Sequence, residues 1–118
     1  MSELIIIAHN EEAKKIEPGE SDLSADEFMI YTNDLWFISP ETDRELHPAP
    51  FPIEIPSRLI KLYTWKNDVI LDPFVGKGTT AMACLELQRK FIGIDISQKY
   101  CDISTKEIEK AKRQLQLW

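Results

Sequence analysis

Apolar residues in this chain fall into short runs separated by polar and proline-rich stretches. Residues 4–8 form one such run, which predicts a buried strand. Residues 11–27 are acidic and polar and include a Pro-Gly turn signal, so a loop is expected there. Residues 28–38 are again apolar and aromatic, and the alternating prolines of residues 47–52 predict a stiff, extended segment.

The second half of the chain has a pattern of alternating helices and strands. Pro56 suits a first helical turn, and an apolar stripe over residues 57–65 predicts a helix. Residues 69–71 are a continuous aliphatic run, typical of a parallel strand covered on both faces. A helix is predicted over residues 79–88 and a second strand over residues 91–95. This order predicts an α/β fold built on a right-handed, parallel βαβ unit.

A last helix is predicted from Ser97, which can cap its first turn, to about residue 117. The inner face of this helix is expected to carry four side chains at helical spacing, Cys101, Ile108, Ala111 and Leu115.

Charge is distributed unevenly along the 118 residues. Residues 1–50 hold 12 acidic and 3 basic residues, a net charge of −9, whereas residues 51–118 hold 8 acidic and 11 basic residues, a net charge of +3. An acidic chain is a poor electrostatic partner for phosphates. Any contact with nucleic acid is therefore expected to be local, or to be supplied largely by another chain.

The length suits one small domain. The sequence contains no run of 18 apolar residues, so no membrane span is predicted. Residues 1–3 lack a basic stretch followed by an apolar one, so no secretory signal is predicted. Cys84 and Cys101 have neither metal-ligand spacing nor a disulfide pattern. We expect both to be reduced, buried fillers in a cytoplasmic protein that has no metal site.

Residues 76–81, Gly-Lys-Gly-Thr-Thr-Ala, follow a predicted strand and open a predicted helix, which places bare backbone N–H groups at a helix N-terminus. A phosphate-binding P-loop would need glycine in place of Leu71 and serine or threonine in place of Gly78, so that interpretation fails. A dinucleotide site is disfavoured, because the Asp72 carboxylate would lie close to the pyrophosphate. Two like charges about 4 Å apart repel by on the order of 4 kcal/mol at an effective dielectric of 20.

A cationic ligand turns this repulsion into attraction. S-adenosylmethionine carries an ammonium and a sulfonium, which suit Asp72 at the tip of the first strand, and a carboxylate, which suits the N–H groups of the glycine loop. Asp95 lies 19 residues after Gly76, at the tip of the second strand, where a carboxylate can accept both ribose hydroxyls. Taken alone, Asp72 also suits a helix cap, and Asp95 also suits a surface acid at a strand end.

The order and spacing of four segments resemble one known family, the S-adenosylmethionine-dependent DNA methyltransferases that modify N4 of cytosine or N6 of adenine. The segments are residues 47–52 (HPAPFP), 55–60 (IPSRLI), 71–80 (LDPFVGKGTT) and 91–96 (FIGIDI). Residues 31–38 resemble, less closely, the segment just upstream in that family.

The resemblance implies a partial Rossmann-like, S-adenosylmethionine-dependent methyltransferase fold, with S-adenosylmethionine as the cofactor. Asp72 would meet the methionine end, Asp95 the ribose and Ile96 the adenine, while residues 47–52 would close over the methionine moiety. The implied cofactor-binding residues are His47, Pro48, Phe51, Asp72, Pro73, Phe74, Gly76, Gly78, Thr79, Asp95 and Ile96.

Two departures from the family pattern stand out. Lys77 occupies a loop position where relatives usually have a small polar residue, and we expect its side chain to point into solvent, with the cofactor carboxylate or a DNA phosphate as alternatives. The catalytic tetrapeptide of the family, Asp-Pro-Pro-Tyr or a near variant, has no counterpart, since the chain contains no Pro-Pro pair. No catalytic residue is therefore assigned.

The chain resembles the C-terminal half of those family members in which the catalytic half comes first. Residues 1–46 are expected to hold the end of the catalytic sheet and a target-recognition-like region, and residues 47–118 the cofactor-binding half-domain. We expect a fragment or subunit of a site-specific DNA methyltransferase, inactive alone, that contacts DNA together with its other half. Its open sheet edge would pair with a complementing N-terminal catalytic subunit or with another copy of the chain. The alternative is a non-catalytic remnant that binds cofactor or only associates.

Overall fold

The computed structural model describes residues 3–9, 18–40 and 51–115. These residues form four helices and two strands in an order that alternates between the two along the second half of the chain. The elements are α1 (Ala25–Tyr31), α2 (Glu54–Tyr63), β1 (Val69–Asp72), α3 (Thr79–Glu86), β2 (Lys90–Gly93) and α4 (Gln98–Leu115).

The two strands are parallel neighbours joined through α3. Their register pairs Val69 with Lys90 at one end and Asp72 with Gly93 at the other. This arrangement confirms the predicted α/β fold and its βαβ unit. Because the strands run in the same direction, both carboxyl ends, and the loops that follow them, lie at the same end of the sheet, its carboxyl end.

The core lies around α3, which packs against α2, α4 and β2. One buried cluster joins Ile60 of α2 to Ala83 and Cys84 of α3, and the inner side chains of the sheet, Ile70 and Phe91, pack against it. A second cluster consists of Val75, Ala81 and Ile108, and Phe91 packs against it too. The small residues of α3 allow the neighbouring helices to approach closely.

Arg89, directly before β2, holds the segment before α1 to this core. Its side chain is fully buried, and its guanidinium donates to both carboxylate oxygens of Asp22, at 2.6 and 2.8 Å. It also donates to the carbonyl oxygens of Thr64 and Leu87, so the buried charge is fully surrounded by acceptors.

The loop predicted for residues 11–27 is confirmed over residues 18–24 and is wrong for residues 25–27, because α1 begins at Ala25. A capping box starts the helix. The Ser24 hydroxyl accepts from the Glu27 N–H at 3.1 Å, and the Glu27 carboxylate accepts from the Ser24 N–H at 3.0 Å.

Two predictions of burial are also wrong. The apolar run at residues 4–8 was expected to be a buried strand, yet it forms no strand, and Leu4 and Ile6 are 85% and 79% exposed. The strand at residues 69–71 was expected to be covered on both faces, yet Val69 and Leu71 are each 59% exposed. In both cases the described part of the chain offers no layer to pack against these side chains.

The inner face predicted for the last helix is correct at two positions. Ile108 and Ala111 are buried and Cys101 is half-buried, whereas Leu115 is exposed because α4 extends past the core at its end. No helix in the described residues is long and apolar enough to cross a membrane.

Candidate functional site

The two predicted acids lie at the carboxyl end of the sheet. Asp72 is the last residue of β1, and Asp95 follows β2 by two residues. Backbone hydrogen bonds fasten the segments after the two strands together, from Ile94 N–H to the Asp72 carbonyl at 2.9 Å and from Val75 N–H to the Ile94 carbonyl at 2.9 Å. The loop after β1 is therefore held directly beside the segment that carries Asp95.

Both carboxylates help to shape the loop between them. Asp72 accepts a hydrogen bond from the Phe74 N–H at 2.9 Å. Asp95 accepts one from the Gly76 N–H at 3.0 Å and another from the Ser97 N–H at 2.8 Å. Each oxygen that accepts one bond keeps a second lone pair, so Asp95 is fixed in orientation and still able to accept ribose hydroxyls.

The two structural alternatives, a helix cap for Asp72 and a surface acid for Asp95, do not match these contacts. The N-cap of α3 is Gly78, so Asp72 does not cap that helix. Asp95 is half-buried and bonded to two backbone amides, unlike a surface acid that only faces solvent.

The glycine loop has the backbone that its sequence predicts. Gly76 and Gly78 have φ values of 51° and 95°, in the left-handed region that favours glycine. Gly78 caps α3 without a side-chain hydrogen bond, and no acidic residue lies in the first turn. The first N–H groups of the helix are thus open to an anionic group, and the helix dipole favours negative charge there.

Apolar side chains in the segments that carry the two acids face outward. Phe74 is 85% exposed and Ile96 is fully exposed, and the predicted site residue Phe51, which precedes α2, is 40% exposed. Pro73 is exposed and Thr79 is half-buried. Large apolar groups so open to water, next to oriented carboxylates, are typical of a surface that a ligand or another chain covers. The predicted contacts of His47 and Pro48 lie outside the described residues.

Some contacts of the site were not predicted. A side chain at Gly93 would come within 2.8 Å of a Val75 methyl group, so this glycine lets β2 approach the loop after β1. The Cys101 thiol lies 3.6 Å from the Asp95 carbonyl oxygen. Ser104 packs against Gly78, where an added Cβ would lie 3.1 Å from the serine Cβ. Gly93 alone had a sequence signal, as a glycine inside a strand.

Both thiols are free, and Cys84 fits its predicted role. It is fully buried, and burial raises the pKa of its thiol to about 11. Cys101 is only half-buried, so it is not the buried filler predicted, because it lies on the first turn of α4 beside the loop. The described residues contain no group of three His, Cys, Asp or Glu side chains placed to hold a metal ion.

A parallel βαβ unit with an acid at each strand tip and an uncapped glycine loop between them defines a nucleotide-binding α/β domain of the Rossmann-like kind. The family follows from comparison with known sequences. A sequence model of the N6/N4 DNA methylase family, described as DNA methylase, matches residues 2–106, and the chain belongs to this family.

Curated relatives are considerably longer than this chain. The type II methyltransferase M.BglI of Bacillus subtilis is 41% identical in an alignment of 99 residues that covers 79% of this chain and 28% of the relative. The type II methyltransferase M.MjaI of Methanocaldococcus jannaschii is 34% identical in an alignment of 115 residues that covers 90% of this chain and 38% of the relative. The chain thus spans between a quarter and two fifths of these relatives.

Solved structures agree with the fold. A Thermus thermophilus protein named as a DNA modification methylase, in complex with S-adenosyl-L-methionine, has a TM-score of 0.60 at 26% identity over 75% of this chain and 34% of its own. The M1.HpyAVI complex with S-adenosyl-L-methionine has a TM-score of 0.55 at 32% identity over 65% of this chain and 41% of its own. The predicted fold class is confirmed, and the family depends on S-adenosyl-L-methionine.

Proposed function

We propose that this chain binds S-adenosyl-L-methionine at the carboxyl end of its sheet and supplies the cofactor-binding part of a DNA methyltransferase. The reaction would transfer a methyl group to N4 of cytosine or N6 of adenine in DNA. The observation that carries the proposal is the glycine loop held between two strand-tip carboxylates, of which Asp95 is oriented by the Gly76 and Ser97 amides.

The chemistry of the site fits the cofactor at each end. S-adenosyl-L-methionine supplies a methyl group activated by the sulfonium charge. Asp72, at the tip of β1, offers negative charge to the ammonium end of the methionine moiety. The first N–H groups of α3, which no side chain caps, offer hydrogen bonds to the carboxylate at the same end. The ammonium and the carboxylate of the ligand would thus each meet a group of opposite charge or polarity, and the two groups lie a few residues apart.

The nucleoside end would lie towards β2. Asp95 would accept the ribose hydroxyls, since its carboxylate is held in place by two amides. Ile96 would pack beside the adenine, which gives a reason for a fully exposed aliphatic side chain at this point. We propose Phe51, Pro73, Phe74 and Thr79 as further walls of the site, and residues 47–52 as the segment that closes over the methionine moiety.

The residues that act on the base would come from outside residues 1–118. A base inside a duplex must leave the stack before its amino group can be reached, and it is then held between an aromatic face and hydrogen-bonding groups. The tetrapeptide that provides those groups in the family has no match in this sequence, which has no Pro-Pro pair. We propose that a complementing catalytic half, or another copy of the chain, joins at the open sheet edge. We propose residues 1–46 as the part that extends the catalytic side and residues 47–118 as the cofactor-binding part.

Reconstitution tests this function. The chain is mixed with a candidate polypeptide that carries an Asp-Pro-Pro-Tyr-type segment, and transfer of labelled methyl from S-adenosyl-L-methionine to duplex DNA is followed. We expect transfer in the mixture and none with either component alone. Transfer by the chain alone would disprove the need for a second polypeptide, and failure of the chain to bind the cofactor would disprove the proposed site.

A further inference from the structure

The sheet has one covered face and one bare face. Ile70 and Phe91 point to the core, and the residues that alternate with them point away from it. The bare face carries Val69 and Leu71, each 59% exposed, together with Ile92 at 54%. The register places Leu71 directly beside Ile92, so the exposed side chains form one continuous surface that we call the outer face.

The outer face continues towards the proposed cofactor site. Ile94, one residue before Asp95, is 52% exposed and lies in step with Ile92 along the chain. At the opposite end, the exposed Lys90 is paired with Val69 and places a single cation at the rim. The outer face is thus an aliphatic surface with a basic end far from the site and an acid-bearing loop at the other end.

Parallel sheets occur almost only where both faces are covered, usually by helices. The strand sequence agrees, since the run at residues 69–71 has no polar residue on its outward positions. Within residues 3–9, 18–40 and 51–115 the sheet has two strands, and no helix lies against its outer face. A cover for this face must therefore come from outside the described structure.

Charge argues against a second copy as this cover. Two strands of four residues present a face on the order of 10 by 13 Å, well below the roughly 800 Å² that each partner gives to a stable interface, so any partner must contact further surface as well. Two copies also carry a net charge of −6 each, which opposes their approach. A larger polypeptide that also pairs with a strand edge meets the size requirement.

The length of the relatives points to such a polypeptide. About two thirds of M.BglI and of M.MjaI has no counterpart in this chain. We infer that the outer face is the docking surface for the complementing catalytic polypeptide, which lays the apolar side of an amphipathic helix on Val69, Leu71, Ile92 and Ile94 and directs an acidic side chain at Lys90. This inference rests on the proposed function and names the surface through which it is assembled.

The test uses the full chain and a defined probe. The part of M.BglI that has no counterpart in this chain is co-expressed with it, and the complex is measured by sedimentation velocity. The variant Leu71→Thr/Ile92→Thr places β-branched threonine, which suits a strand, at both positions and makes the outer face polar. The control is Leu115→Gln, which changes a side chain that is 53% exposed at the far end of α4.

We expect a one-to-one complex that the double variant weakens at least tenfold and that the control leaves unchanged. Lys90→Glu should weaken the complex as well, by reversing the charge at the rim. The inference is overturned if no complex forms, if the double variant binds as well as the wild type, or if the chain alone forms a dimer that the double variant dissociates.

Cofactor binding separates this failure from failure of the proposed function. Each variant is titrated with S-adenosyl-L-methionine by calorimetry in the absence of the probe, since neither Leu71 nor Ile92 belongs to the proposed site. Cofactor binding without a complex would overturn the docking surface and leave the site standing. A complex without cofactor binding would support the docking surface and overturn the site.

Discussion

Gly93 has no room for a side chain, because an added Cβ would lie 2.8 Å from Val75 Cγ2 and 3.1 Å from Val75 Cβ. Gly93→Ala should therefore lower the free energy of unfolding by about 1–3 kcal/mol, because the added methyl group would overlap the buried Val75 side chain. Urea unfolding followed by circular dichroism measures the change.

The same contact provides the control. In the double variant Gly93→Ala/Val75→Ala, loss of the two Val75 methyl groups removes the closest contact and leaves only the approach of the two Cβ atoms. The combined loss should therefore be smaller than the sum of the two single losses. Strictly additive losses would mean that the tight approach of β2 to the loop does not matter.

Arg89 depends on Asp22 more than an exposed pair would. Its side chain is fully buried, and Asp22→Ala would leave the charge with carbonyl and hydroxyl partners only. We expect the free energy of unfolding to fall by about 3 kcal/mol, as when one partner of a buried ion pair is removed.

The exposed pair of Lys66 and Glu20 is the matched comparison, since the Glu20 side chain is 71% exposed. Glu20→Ala should lower the free energy of unfolding by less than about 1 kcal/mol. Equal effects of the two alanine variants would contradict the importance given to burial at Arg89.

At the scale of whole elements, α1 is held by polar and stacking contacts, since none of its residues is buried. The Arg58 guanidinium of α2 lies 5.1 Å from the ring centroid of Tyr31 and 5.1 Å from that of Trp36. Arg58 also pairs with Glu54, and its Nε is buried without a hydrogen bond among the described residues. The stacked guanidinium thus links α2 to α1 and to the segment after it.

Lysine cannot replace this arginine, because an ammonium has no plane to stack between two rings. Arg58→Lys should lower the free energy of unfolding by roughly 1 kcal/mol while keeping the charge. A shift in Trp fluorescence would accompany the loss of stacking on Trp36. Unchanged stability together with an unchanged spectrum would show that the two rings do not depend on Arg58.

The pairs that fasten α1 and the segment before it predict a dependence on pH. Burial opposes ionisation of Asp22, but the hydrogen bonds and charge of Arg89 outweigh it and lower its pKa below 3.8. The hydrogen bond from Lys61, and then the Ser24 amide, lower the pKa of Glu27 below 4.5. A lowered pKa in the folded state means that the folded protein binds fewer protons than the unfolded chain.

Stability from these carboxylates is thus fully present above the unfolded pKa values and is lost as pH falls through the lower folded values. The free energy of unfolding should decline as pH is lowered from about 5 to 3, and less steeply in Asp22→Asn/Glu27→Gln. Urea unfolding across this range measures both slopes. Parallel declines in the wild type and the double variant would rule out these two groups as the source.

The helices and strands near the site followed from local patterns. The βαβ unit, the glycine loop and the two strand-tip acids depend on neighbours in sequence, so residues 69–96 were predicted in the right order. The capping box at Ser24 and Glu27 was present in the sequence as Ser-x-x-Glu, and it was missed because the acidic composition around it suggested a loop.

Other features depend on contacts that local patterns do not contain. Asp22 meets Arg89 across 67 residues, and Gly93 meets Val75 only because the strands pair in one register. The exposure of Val69 and Leu71 was predicted wrongly for a related reason. Their sequence is typical of a strand with both faces packed against other elements, whereas the described residues pack against only one face.

At the scale of the whole molecule, the sheet has one covered face, one bare face and the proposed cofactor site at its carboxyl end. The core around α3 holds the loop after β1 against the segment after β2, and these two segments carry the groups proposed to bind S-adenosyl-L-methionine. We propose that the rest of the methyltransferase covers the bare face. The groups proposed to bind the cofactor are held in position by contacts within this chain.

Calorimetric titration with S-adenosyl-L-methionine tests that claim most directly. The wild-type chain should bind the cofactor alone, and Asp95→Ala should weaken binding by roughly 1–3 kcal/mol, as expected when a buried hydrogen-bond partner is lost. Asp102→Ala is the control, because Asp102 is exposed and bonds only Gln98 among the described residues. Equal affinities of the wild type and Asp95→Ala, or no binding by the wild type, would contradict the proposed cradle.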